Sequence, residues 1–174
     1  MTPPPNTVDY RPFAPMLGAK RARAIAAGTV MLGSLVTIIP VVATIPILPP
    51  LGLVMLLAWR LLARFAFRPW AAAPLGLFDD LVSGQPLGSA VLLWSLSFLA
   101  IDMLEQRLVF RDYWQDWLIA SGLIAGIIIA GRFIAVPVGA HVDTVLLAQI
   151  MIAALLFPLA ERIVARVERK RGED

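Results

Sequence analysis

The chain has no cysteine and a single histidine among its 174 residues. The first absence excludes disulfides, thiolate metal sites and cysteine nucleophiles. The second leaves His141 as the sole imidazole for acid–base or metal chemistry. Charge is scarce as well. Asp, Glu, Lys and Arg together make up 16% of the chain, where an ordinary soluble domain carries roughly 25%. Hydrophobic types reach 59% and the mean hydropathy is +0.80. So little charge cannot cover the outside of a soluble fold, so the outside must be lipid. A chain this apolar is not disordered either. The 15 basic residues outnumber 12 acidic ones for a net +3. They are scattered between hydrophobic runs and form no basic patch, so nucleic acid is not the expected partner.

What the sequence does contain is a series of apolar runs, and a spanning helix needs about 20 such residues. No charge occurs between Ala24 and Trp59, a run too long for one helix. Pro40, Pro46, Pro49 and Pro50 divide it, because proline is tolerated at a helix start and not in its interior. The spacing predicts an all-α polytopic membrane protein with helices at about 24–42, 51–67, 70–82, 87–104, 117–136 and 142–164. Residues 1–23, with five prolines between Pro3 and Pro15, are expected to form a flexible cytoplasmic arm. Residues 24–167 then make a single transmembrane domain, and 168–174 a short charged cytoplasmic tail. The first helix is expected to stay uncleaved, since its apolar run is long for a signal peptide.

Six crossings with both termini inside place fourteen of the fifteen basic residues toward the cytoplasm, leaving only Arg132 outside. That is the bias cytoplasmic loops carry. With five crossings the bias collapses, so the weak third segment is expected to cross.

Polar residues within apolar runs are costly and mark function or structure. By the helical rise, Arg60 lies about ten residues, or roughly 15 Å, along the second helix, and Asp80 lies equally deep on the third. An intramembrane Arg60–Asp80 ion pair is therefore expected, with Asp79 as the second choice. The alternative is that Arg60 snorkels to the inner face. Asp102 and Glu105 lie toward the inner end of the fourth helix, where Arg64 and Arg68 are their expected partners. Gly122, Gly126 and Ala130 repeat every four residues on the fifth helix, a spacing that allows another helix to approach closely. The connection before it carries Arg107, Arg111, Tyr113, Trp114 and Trp117, a mixture of charge and aromatics suited to the headgroup level. A cytoplasmic partner could use the same segment.

Catalysis has little support. His141 and Asp143 are two ligands at most, too few for a catalytic zinc. The neighbouring Asp79 and Asp80 diverge by about 100° on a helix, whereas an aspartyl protease needs two carboxylates on one water. No metal, cofactor or enzymatic activity is expected.

The stretch from Gly76 to Gly88 resembles the central signature of the MreD family of bacterial rod shape-determining membrane proteins. Gly76, Asp80, Ser83, Gly84, Leu87 and Gly88 fit that pattern place for place. The resemblance extends to the proline-led second helix at Pro50, the aromatic connection to Trp117, and Phe157-Pro158 ahead of the basic tail. The doubled aspartate and Arg60 depart from the family. The resemblance implies a non-catalytic, multi-pass subunit of the elongasome in the bacterial inner membrane, serving side-wall peptidoglycan synthesis and the regulation of cell shape. It implies association with the transmembrane helix of MreC, with homo-oligomerisation through that complex left open. Indirect links run to MreB, RodA and a penicillin-binding transpeptidase. It also implies a fold similar to the substrate-binding subunit of energy-coupling-factor transporters, and a tight Asp80-fixed turn between the third and fourth helices. The competing expectation is a transport-type subunit in which the Asp79/Asp80 region lines a pocket for a small molecule or lipid.

Overall fold

The computed structural model describes residues 16–36, 49–63, 66–107, 113–135 and 143–172. Among the described residues it is all-helical: α1 (Met16–Leu35), α2 (Leu51–Leu62), α3 (Ala72–Ser83), α4 (Ser89–Arg107), α5 (Tyr113–Ala135) and α6 (Asp143–Gly172). A 3-10 turn, Pro69–Ala71, leads into α3. By length and composition α4, α5 and α6 can each cross a membrane.

The two short helices depart most from expectation. α2 and α3 have 12 residues each, about 18 Å at the helical rise and well under a hydrocarbon core of about 30 Å. α2 stops at Leu62 and not near 67, and α3 runs to Ser83. Nine of the 12 residues of α2 are buried. A helix apolar all round belongs inside its protein, and α2 packs against α1, α4, α5 and α6. Its Trp59 is the largest fully buried side chain. Trp59 donates its indole N–H to Thr29 Oγ1 at 2.8 Å, and that hydroxyl donates to the Ala26 carbonyl at 2.8 Å. On the same α1–α2 seam, a Cβ on Gly33 would lie 2.9 Å from the Gly52 nitrogen, so only glycine permits the approach.

The ends of the chain also differ from the sequence-based boundaries. α1 begins at Met16, so the last residues of the expected arm are helical. Residues 1–15 and 37–42 lie outside the described residues. α6 continues through most of the expected tail, to Gly172. It does so across Pro158, which has no N–H for the carbonyl of Ala154 four residues earlier. Trp117 on α5 donates its indole N–H to that Ala154 carbonyl at 3.1 Å.

Candidate functional site

Among the described residues, three polar centres bear on the expected site. The first is the α3–α4 turn. α3 ends on Gly84 in the left-handed region at φ +68°, and Gly88 follows at φ +95°. Glycine alone adopts such angles without steric cost. Asp80, 1% exposed, reaches across this turn to the start of α4. Its Oδ2 accepts the Gly88 N–H at 2.8 Å, and its Oδ1 accepts the Ala90 N–H at 2.8 Å and the Ser89 hydroxyl at 2.9 Å. The first N–H groups of a helix have no partner within it, and in an apolar setting each unpaired one is expensive. Asp80 therefore caps α4 from a neighbouring helix, with its charge at the positive end of the α4 dipole. Gly76, one turn earlier on α3, makes room for this. A Cβ there would lie 2.8 Å from the backbone of Ala90 and Val91. Ser83 donates to the Asp79 carbonyl at 2.7 Å, and Leu87 is exposed.

The second centre corrects the expected ion pair. Arg60 is 7% exposed and pairs with Asp102, with Glu105 at 3.7 Å and its guanidinium carbon 5.6 Å from the centre of the Phe98 ring. It contacts neither Asp80 nor Asp79. The reason is the shortness of α2 and α3. Arg60 lies in the last turn of α2 and Asp80 in the last turns of α3. Consecutive helices that reverse direction place those ends apart, whereas Arg60 and the last turns of α4 coincide. Arg60 takes the role expected of Arg64 and Arg68 toward Asp102 and Glu105; Arg64 lies outside the described residues, and Arg68 is exposed.

The third centre is a cavity of about 230 Å³ with walls from five helices or their approaches. Pro50 and Leu53 come from the start of α2, Asp79 from the end of α3, and Ala90, Leu93 and Trp94 from the start of α4. Ile127, Ile128, Gly131 and Arg132 come from the end of α5, and Leu146 and Gln149 from the start of α6, with Gln85 from the α3–α4 turn. Asp79 also lies beside the buried Ser34 of α1. Asp79 lines this cavity and Asp80 does not, so the two adjacent carboxylates have separate jobs. Arg132 and Gln149 are the site residues sequence reasoning missed. A lone arginine in an otherwise apolar helix end was the available signal for the first.

The remaining expected residues divide. Gly122 and Gly126 face outward, with nothing within 4 Å of a Cβ placed on either, so no described helix of this chain packs on them. Ala130 packs against the core. Among the described residues, Gly122 and Gly126 thus make no internal helix contact. Trp114 is exposed and makes an edge-on contact with Trp117 at 5.5 Å. Trp117 is tied to α6 and is a packing residue. Arg111, His141 and the side chains of Arg107, Tyr113 and Asp143 lie outside the described residues. Among the described residues no group of three or more His, Asp or Glu could hold a metal ion. A separate apolar cavity of about 360 Å³ lies between α1, α2 and α6, beside Gly33, Met55 and Ala160.

The fold and these centres define a class: a helical bundle with helices able to cross a membrane, in which the buried Arg60 and Asp80 each lie near the end of a helix. No family model, curated protein or solved structure matches the chain.

Proposed function

We propose that this protein is a non-catalytic integral membrane scaffold of the MreD type. On this reading it crosses the bacterial inner membrane six times with both termini in the cytoplasm, in a fold like that of the energy-coupling-factor substrate-binding subunits. It associates with the transmembrane helix of an MreC-like protein and helps to organise side-wall peptidoglycan synthesis and rod shape. The observation that carries the reading is a stripe on α5. Leu118, Gly122, Gly126, Ile129 and Phe133 are all exposed and recur at helical spacing, with two glycines at the centre. Small residues inside an apolar stripe let a second helix approach to backbone contact, and no described helix of this chain fills that place. The signature residues support the same reading by sharing one job, since Gly76, Asp80, Gly84 and Gly88 together shape the α3–α4 turn.

The test is co-purification with the single-span partner from the native membrane, followed by disulfide trapping between cysteines at 122 or 126 and cysteines along the partner helix. Cross-links at both positions are expected, as is loss of the partner in a Gly122→Leu/Gly126→Leu variant of unchanged thermal stability. A variant that keeps its partner would overturn the α5 assignment. A host that stays rod-shaped without the protein would overturn the function.

A further inference from the structure

We propose that the cavity at Asp79 and Arg132 binds the zwitterionic headgroup of a phospholipid bearing a primary amine. This rests on the membrane placement but not on any partner protein. The cavity joins opposite charges from different helices. Asp79 comes from the end of α3 and Arg132 from the end of α5, with Gln85 and Gln149 as neutral hydrogen-bonding groups and Trp94 and Ile128 among the apolar walls. A guanidinium suits an oxyanion such as phosphate, and a carboxylate with amide oxygens suits an ammonium that donates three hydrogen bonds. One ligand with both charges satisfies both walls, whereas a simple anion or cation leaves one of them unmatched.

Size and surroundings narrow the class. At about 230 Å³ the cavity falls below the roughly 300–1,000 Å³ of sites for whole drug-sized ligands. It fits a headgroup with its tail elsewhere. Among the helices long enough to span, α4 and α6 line it with their first two turns and α5 brings Arg132 from its last turn, and the ends of a spanning helix are at headgroup depth. A primary amine is favoured over a quaternary one. Quaternary ammonium sites use cages of several aromatic rings, and among the described residues Trp94 is the single aromatic side chain in this lining.

The experiment is lipid titration of the delipidated protein in detergent, read by native mass spectrometry. Phosphatidylethanolamine, phosphatidylcholine and phosphatidylglycerol are compared, with free phosphoethanolamine as the arm lacking acyl chains. Phosphatidylethanolamine is expected to bind most tightly. Arg132→Gln and Asp79→Asn should each weaken it about tenfold or more, the effect of one lost charge-assisted hydrogen bond. Gln85→Leu, at an exposed turn position, should weaken it several-fold and keeps the test open if either charge variant fails to fold. Binding of free phosphoethanolamine as tight as that of the lipid would assign the site to a soluble zwitterion and overturn the lipid assignment. Equal retention of all three lipids, or wild-type affinity in the folded variants, would overturn the site. The Gly122→Leu/Gly126→Leu variant should keep its lipid, so failure of the partner assignment and failure of this one are distinguishable.

Discussion

Trp117 on α5 donates its indole N–H to the carbonyl of Ala154 on α6, at 3.1 Å. That oxygen is the one Pro158 leaves without a backbone donor. A proline inside a helix removes one bond of the ladder, and within a membrane an unpaired carbonyl costs several kcal/mol. The tryptophan repairs the break from a neighbouring helix, and the repair ties α5 to α6.

Asp80 makes the same kind of repair at a helix start. Asp80→Ala should lower stability in detergent by about 2–4 kcal/mol, because the cap is lost and buried donors of Gly88, Ser89 and Ala90 go unpaired. Asp80→Asn keeps one acceptor oxygen and should cost about half as much. Thermal unfolding of the purified variants measures both. An alanine variant as stable as the parent would remove Asp80 from its capping role.

At Gly76 the expected effect runs against helix propensity. Gly→Ala in an open helix position gains about 0.5–1 kcal/mol. At Gly76, however, the new methyl would meet the Ala90–Val91 backbone at 2.8 Å, and overpacking costs about 1–3 kcal/mol. Gly76→Ala should therefore destabilise, while Gly122→Ala, with open space around it, should be neutral or stabilising in the isolated protein. Paired melting curves decide, and the same sign at both positions would contradict the packing described for α3 and α4.

Arg60 makes a third case. Removing one partner of a buried pair costs about 3–5 kcal/mol, so Arg60→Met should fall near the lower end, since Asp102 is partly exposed. Asp102→Asn should cost less, because Glu105 and the Phe98 ring remain beside the guanidinium. A double-mutant cycle should show a coupling of about 1–3 kcal/mol between Arg60 and Asp102 and none between Arg60 and Asp80. Coupling to Asp80 in that cycle would restore the pair that the depth arithmetic predicted.

The contrast between Asp80 and Arg60 shows how far the sequence was legible. The helical class and the six helices among the described residues follow from apolar runs broken by proline, and Gly76, Asp80, Gly84 and Gly88 stand out as a group. The expectation that Asp80 fixes the turn between the third and fourth helices agrees with its bonds to Gly88, Ser89 and Ala90, but those particular donors are not legible, because a carboxylate that caps a helix eight to ten residues further on leaves no local pattern. Depth along two full-length spans predicts an Arg60–Asp80 pair, whereas α2 and α3 are 12-residue helices that put Arg60 and Asp80 near helix ends. Gly122 and Gly126 are legible as a small-residue ridge, but spacing does not say that no described helix of this chain packs on it.

The Trp117–Ala154–Pro158 arrangement supplies a sharper test, since its parts should be non-additive. Trp117→Phe keeps the ring in the core and removes only the N–H, leaving the Ala154 carbonyl without the donor it has at 3.1 Å. A buried group left unpaired costs about 1–3 kcal/mol, so a loss of that size is expected. Pro158→Ala restores a backbone N–H to the same carbonyl, and in that background Trp117→Phe should cost much less. Thermal unfolding of the two single variants and the double variant gives the coupling directly. Purely additive effects would mean that the indole and the proline do not act on the same oxygen. The α5–α6 contact would then rest on apolar packing alone.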